Sequence, residues 1–438
     1  MAGHVAEQEQ PSNAGQVFLY FAPLTMFVYL VMPHGYFLDF TVAQIMKNKL
    51  HATPDMVATF RLITCIPVYL SFVFGFGRDL WNPFGMRDRG HFLLFGIVTA
   101  AVFTWMAFSP LSYEGLMAGM FLTMASFRFV AAAYQGLLAL VGQEKMMSGR
   151  LSALWQIMSG LPYTIGGLAS GWVADNLEPK TTFLIAALLC LVIAVFAFWS
   201  PRAVFAGAYD KPVAKSTSFV GDVKRLVLYR AVYPAVLINF LFNFAPGANT
   251  PLQYYLSNTL HASDFYYGAY NAIFAFSFTP MFFLYGWLCR RVSLGTLLWW
   301  GTIITVPQMV PLALITTPMQ SLVMAALTGL MGGIAAGAYF DLAIRSCPPG
   351  LQGTLMMLVD GVLILSSRGG DLLGSWIYGQ SPRFGFLYCV IATTAVYAAI
   401  LPLLLLIPKA LIATTDGQRN EEIEKAGAQA VAEAAAAG

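Results

Sequence analysis

Charge is what this sequence has least of. Of its 438 residues, 10% are Asp, Glu, Lys or Arg, while 58% are apolar. A water-soluble domain carries about 25% charged residues, so a soluble globular protein is excluded. The net charge of +3 is too small to hold a polyanion, and no nucleic-acid partner is expected. The five cysteines (Cys65, Cys190, Cys289, Cys347 and Cys389) stand singly. Without a CxxC pair or a Cys/His cluster, neither a disulfide framework nor a metal site is expected. No GxxxxGK[ST] loop occurs, which argues against a nucleotide-driven pump. No HExxH stretch, Ser/His/Asp order or acidic loop cluster points to a membrane enzyme, and no cofactor is expected. The first 15 residues are polar, include Glu7 and Glu9, and lack the basic stretch that opens a signal peptide.

What fills the chain instead is a series of apolar runs about 20 residues long, enough to cross roughly 30 Å of hydrocarbon as a helix. The runs are continuous rather than alternating, so helices are expected and a β-barrel is not. We read twelve spans, near 16–42, 56–77, 91–110, 114–142, 150–175 and 181–200, then near 230–257, 263–288, 296–316, 319–346, 351–378 and 384–408. Between the sets, residues 201–229 hold Lys211, Lys215, Lys224 and Arg225 with Pro201, Pro212 and Gly221, and read as a polar linker. The expected organisation is a tail at 1–15, a six-helix bundle at 16–200, the linker, a second bundle at 230–408, and a tail at 409–438. That last tail is Ala-rich and polar, and reads as a disordered segment or short helix without a functional role.

Basic residues set the orientation. Arg78, Arg87, Arg89, Lys145, Arg150, the linker charges, Arg290, Arg291 and Arg345 fall in loops on one side. Only Lys47, Lys49, Lys180 and Arg383 fall on the other. The positive-inside rule places the first side, and both termini, in the cytoplasm.

A charge at the bilayer centre costs about 2.5–3.5 kcal/mol on insertion scales, so each one asks for a cavity or a partner. Arg128 lies halfway along the fourth span, with Gln135 seven residues later on nearly the same face. A buried guanidinium that keeps its proton suits an anionic solute; the alternative is a structural ion pair. Asp360, Arg368 and Asp371 fall on one face of the eleventh span, within an arc of about 80°. Arg368 and Asp371 are spaced to pair with each other. Asp360, nearer mid-membrane, is the candidate proton carrier, since burial raises a carboxyl group's pKa; a self-neutralised cluster is the competing reading. Asp39, at the end of the first span, and Arg61 lie near the outer face with His34, as a proton-entry site, an outer gate or an interfacial pair. Asp341 and Arg345 form an i,i+4 pair at the inner end of the tenth span, expected to gate or brace it.

The seventh span is interrupted. In "NFLFNFAPGANTPLQYYLSN", Asn239 and Asn243 share a face, and Pro246, Gly247 and Pro251 follow. Broken helices in transporters line solute sites, so Asn239, Asn243, Tyr254 and Asn271 are candidate solute contacts beside Arg128, Gln135 and Arg368. Tyr255, Tyr266, Tyr267 and Tyr270 lie close by, as interfacial residues or as platforms for a flat ring.

The stretch "GRDLWNPFGMRDRGHF" spans Gly77 to Phe92, between the second and third spans. Gly75-x-x-x-Asp79, followed by Gly85, Arg87 and Arg89, resembles the loop 2–3 signature of the major facilitator superfamily. The resemblance covers about residues 16–408 and implies an all-α membrane fold of twelve helices in two six-helix bundles. It implies that the loop latches the two halves together in one state: Asp79 would accept hydrogen bonds from a neighbouring helix N-terminus, and Arg87 and Arg89 would anchor to carboxylates or lipid headgroups. A five-residue insertion, Leu80 to Phe84, and Asp88 within the basic cluster depart from the pattern. The inserted form is similar to the folate–biopterin transporters and muropeptide permeases. "CPPGLQGT", Cys347 to Thr354, resembles the Cys-Pro-x-Gly-x-x-x-Thr turn of the folate–biopterin family, with Gly353 where alanine or a similar small residue is expected. The glycines of "SGLPYTIGGLASG" (Gly160, Gly166, Gly167 and Gly171, beside Pro162) resemble the superfamily's fifth-helix motif with shifted spacing, or serve close packing alone. The superfamily's fourth-helix arginine is followed by a glycine; here Gly136 comes eight residues after Arg128, later than in that pattern.

The expected function is secondary transport of a small organic anion, coupled to protons, by rocking of the two halves. The expected setting is a bacterial-type inner membrane, as a monomer in the lipid bilayer. Pterin-, folate-, muropeptide- and siderophore-like solutes all fit. The alternative is a non-transporting assembly factor, or one delivering pigment or lipid, on the same fold.

Overall fold

A computed structural model of the chain describes residues 14–206, 219–381 and 383–418. The first part of the N-terminal tail, linker residues Lys211, Pro212 and Lys215, and the tail from 419 onward lie outside the described residues. The surroundings of Gly166, Gly167 and Gly171 lie outside them too.

The first half comprises α1 (Ala14–Leu30), α2 (Tyr36–Lys49), α3 (Pro54–Thr64), α4 (Ile66–Tyr69), α5 (Ser71–Leu80), α6 (Asp88–Phe108), α7 (Tyr113–Glu144), α8 (Ser148–Asn176) and α9 (Pro179–Val195). Two short helices follow, α10 (Arg202–Phe205) and α11 (Phe219–Leu228). The second half comprises α12 (Val232–Asn243), α13 (Thr250–Tyr254), α14 (Asp264–Leu288), α15 (Leu294–Thr305), α16 (Pro318–Arg345), α17 (Gln352–Gly379), α18 (Gly385–Ala398) and α19 (Ile400–Leu404), and one turn, α20 (Lys409–Ile412), closes the described chain. Among the described residues, seven helical stretches are long and apolar enough to cross a bilayer.

Helix starts follow local chemistry. Thr53, Ser112 and Ser293 accept a backbone N–H of the first turn, and Thr317 forms a capping box with Gln320. Each cap satisfies a donor that the helix leaves open. Three of the breaks in the predicted spans bear on the site. The first span is interrupted between Leu30 and Tyr36, where Pro33 removes a backbone donor, and α2 then runs on to Lys49. Asp39 therefore lies in the first turn of α2, not at the end of a span. The second span bends at Cys65 and Leu70, on either side of Pro67. The seventh opens at Phe244–Asn249. Its Pro246 carbonyl packs so tightly on α17 that a Cβ on Gly374 would lie 1.8 Å from it. The freed donors are satisfied: Gly247 N–H donates to Thr393 Oγ1 at 2.9 Å, and Thr250 N–H donates to Asp371 at 2.9 Å.

One core fills the first half and takes in Phe340, Ile344, Leu351 and Met356 from α16 and α17. The two halves thus share a core at the end bearing Arg78, Arg150 and Arg345, which we call the basic end. Two smaller cores fill the second half.

Candidate functional site

At the basic end α5 crosses the first turn of α17. Asp79, 1% exposed, accepts from the backbone N–H of Gly353 at 3.2 Å, and from the N–H and hydroxyl of Thr354 at 2.7 and 2.6 Å. A carboxylate is favoured there because a helix N-terminus presents unpaired N–H groups. Gly353 answers the departure from alanine: a Cβ there would lie 2.8 Å from Asp79 Oδ1 and from Arg78 Cδ. Arg78 organises the rest. Its Nη1 donates to Asp79 at 2.7 Å, while Nε and Nη2 grip Asp88 at 2.5 and 2.6 Å. Asp88, which interrupts the basic cluster in sequence, is the fork's second carboxylate. Sequence reasoning missed Arg78 as a site residue, although it adjoins Asp79 in the chain. The insertion forms a short turn over Pro83–Gly85, and Asn82 Oδ1 accepts the Arg87 N–H at 2.5 Å. Arg89 differs from expectation. Its Nε donates to the Ala197 carbonyl at 2.6 Å and its guanidinium lies over Phe205, so it is held within its own half.

At mid-depth Arg128 on α7 meets Asp360 on α17. Nη1 donates to Asp360 Oδ2 at 2.6 Å and lies 3.4 Å from Ser71 Oγ; Nη2 is 3.3 Å from His34 Nδ1. The arginine side chain is 1% exposed and the aspartate 15%. Arg128 Nε is buried with no hydrogen-bond partner among the described residues. Because Arg128 can only donate, His34 Nδ1 accepts and its Nε2 carries the ring proton. The break between α1 and α2 is what swings His34 to this position. Gln135 does not touch Arg128. Its amide points to the Tyr29 hydroxyl at 3.4 Å, which also receives Trp155 Nε1 at 2.9 Å. Trp155 of α8 stacks on Phe340 of α16, rings 4.0 Å apart, joining the halves below the ion pair.

The α8–α16 junction carries further ties. Ser152 and Gln156 donate to the Gly337 and Ala336 carbonyls at 2.7 and 3.2 Å, and Gln143 of α7 donates to the Ile344 and Cys347 carbonyls. Arg345 and Asp341 form the expected pair at 2.9 Å, extended by Tyr285 to Asp341 and by Arg345 to Ser148 of the other half. These cross-half contacts cluster at the basic end and at mid-depth.

Other candidates separate. Arg368 and Asp371 do not pair. Asp371 is taken by the N–H and hydroxyl of Thr250, because the break in the seventh span leaves that N–H free. Arg368 is exposed and makes no ion pair or hydrogen bond among the described residues, while its charge acts on His34, Cys65 and Tyr69. Asn239 and Asn243 donate back into their own helix, to Ala235 and Asn239 carbonyls at 2.9 Å, and Asn239 also reaches the Tyr339 carbonyl of α16 at 3.4 Å. Asn271 does the same to Tyr267, and Tyr254 is 51% exposed. Asp39 and Arg61 pair at 2.9 Å with both side chains more than a third exposed. Among the described residues no group of His, Cys, Asp and Glu is placed to hold a metal ion.

The sequence pattern of the Major Facilitator Superfamily matches residues 24–367. The chain belongs to this superfamily. Over 409 residues it is 24% identical to a folate-biopterin transporter of Synechocystis sp., covering 88% of this chain and 80% of that one. The fold is similar to the crystal structure of the human organic anion transporter MFSD10, at 15% identity and TM-score 0.65, covering 90% of this chain and 100% of the other. It is similar also to the proton:xylose symporter XylE bound to 6-bromo-6-deoxy-D-glucose, at 13% identity and TM-score 0.67, covering 94% and 99%. It is an integral membrane protein of a transporter family.

Proposed function

We propose that the chain is a secondary transporter that moves a small organic anion by alternating access, with proton movement coupled through Asp360. The observation that supports this most is the Arg128–Asp360 pair, a buried cation of one half held by a carboxylate of the other. A guanidinium keeps its proton at any physiological pH, so an anionic solute competes with Asp360 for Arg128. Protonation of Asp360 releases the arginine, and the carboxyl group keeps enough exposure to reach water. The released donors, with the unpaired Arg128 Nε, then hold the solute carboxylate. Arg368 adds a second cation on the same face of α17. The folate-biopterin relative supports a folate- or pterin-like solute, a flat ring that in the folate type bears carboxylates.

In the described state the basic end is shut. Asp79 with Arg78, the Asp341–Arg345 cluster and the Trp155–Phe340 stack serve as its gate, and Asp39–Arg61 stands at the opposite mouth. The loop charges support a cytoplasmic basic end with both termini on that side, in an inner membrane of the bacterial type, the chain acting as a monomer.

Uptake of a folate- or pterin-like solute into proteoliposomes tests the reading. Arg128→Ala is expected to abolish uptake, and Asp360→Asn to remove its dependence on a proton gradient. If uptake is never detected, or neither substitution alters it, the reading fails and the assembly- or delivery-factor alternative gains.

A further inference from the structure

The two halves cross each other twice at the basic end, in related ways. On one side α5 of the first half crosses the first turn of α17; on the other, α14 of the second half crosses the first turn of α8. Gly75 precedes Asp79 by four residues, and Gly286 precedes Arg290 by four. A Cβ on Gly353 would strike Arg78 and Asp79; a Cβ on Gly149, one residue into α8 as Gly353 is into α17, would strike Cys289 at 2.9 Å. The crossings match, but the place of the Asp79 carboxylate is held at α14 by Arg290, an exposed cation that cannot accept a hydrogen bond.

A carboxylate nevertheless reaches the α8 N-terminus. Asp416, four residues beyond the end of α20, accepts from Gly149 N–H at 3.0 Å and from Arg150 Nε at 2.5 Å. Its own N–H donates to the Cys289 carbonyl at 2.9 Å, and its side chain is fully buried. Arg345 holds the preceding strand of tail through the Leu411 and Thr414 carbonyls at 3.3 and 3.0 Å. Asp416 thereby does for Gly149 what Asp79 does for Gly353.

We propose that the C-terminal tail is a second, separable latch of the basic end, in which Asp416 supplies the carboxylate that α14 lacks. Opening the basic end then requires the tail to leave α8, as it requires Asp79 to leave α17. The groups facing Asp416 are Arg150 on α8, Asp341 and Arg345 on α16, Cys289 after α14, and the Gly149 amide. Burial first, and the Asp341 charge second, push its carboxyl group up to about 6, against the pull of Arg150. The docked group is thus the better proton binder: docking strengthens as pH falls through about 6, and is weaker, at a constant level, above it. The inference needs the alternating-access reading only for its consequence; the docking itself is measured without any solute.

Hydrogen exchange on the full-length protein in detergent tests it, since the Gly149 N–H has Asp416 as its hydrogen-bond acceptor. Asp416→Ala is expected to speed exchange at residues 149–150 and 413–416 by about tenfold or more while leaving 353–354 within about twofold. Asp79→Ala is expected to do the reverse. After correction for intrinsic rates, wild-type protection at Gly149 should be about fourfold greater at pH 5.5 than at pH 7.5. Asp416→Asn, which keeps the acceptor oxygen and serves if the alanine variant does not fold, should lose that pH dependence. Unchanged exchange at Gly149 in Asp416→Ala, equal loosening at 353–354, or an intact pH dependence in Asp416→Asn would overturn the proposal.

Discussion

Arg128 concentrates the site's energetics in one side chain. It is buried, its charge is permanent, and Asp360 is its one ion-pair partner among the described residues. Removing one member of such a buried pair strands the other, at a cost of about 3–5 kcal/mol. Arg128→Ala and Asp360→Ala should therefore each lower thermal stability, and the double variant should lose less than the sum of the two, with a coupling of about 1–3 kcal/mol in a double-mutant cycle. The Asp39–Arg61 pair makes a contrast at equal chemistry. Its side chains are 35% and 40% exposed, and an exposed pair contributes about 0–1 kcal/mol. Arg61→Ala should leave the melting temperature within about 2 °C of wild type.

Between elements, the account rests on how closely α5 approaches α17. Gly353→Ala places a methyl group 2.8 Å from Asp79 and Arg78, and overpacking of this kind costs about 1–3 kcal/mol. The latch should loosen and the basic end open more often. Cys347, 2% exposed beside this junction, then reports the opening: its labelling by a small maleimide should rise about fivefold or more, since about 1.4 kcal/mol is a factor of ten. Unchanged labelling would mean that the α5–α17 contact does not hold the end shut. Much of this element was legible beforehand. Aspartate at 79 pointed to a neighbouring helix N-terminus to receive the carboxylate. Pro246 and Gly247 pointed to the break in the seventh span. What was not legible depends on which elements meet. Arg368 and Asp371 are spaced to pair, yet Asp371 turns to Thr250, because the α12–α13 break offers an unpaired N–H that spacing along α17 cannot reveal. Pro33 carried the signal for the break that brings His34 to Arg128, and an apolar run read as one span hid it.

For the whole molecule, the halves meet at the basic end and at mid-depth through contacts between residues one to two hundred positions or more apart. Such pairings were beyond sequence reasoning: Arg128 was singled out on its own span and Asp360 among three charges of another, and only the packing of α7 against α17 makes them partners. The all-helical, membrane-spanning build was readable because lipid restricts the chain to apolar helices. The tail was read as functionless because its composition is polar and Ala-rich, while Asp416 acquires its place only through the fold.

The central claim is that breaking the Arg128–Asp360 pair by protonation couples the solute's movement to protons. Its most direct test compares two modes of transport in proteoliposomes carrying Asp360→Asn: accumulation driven by an inward proton gradient, and solute-for-solute exchange with no gradient. The account predicts that gradient-driven accumulation is lost while exchange persists. Gradient-driven accumulation at the wild-type level in Asp360→Asn would contradict it.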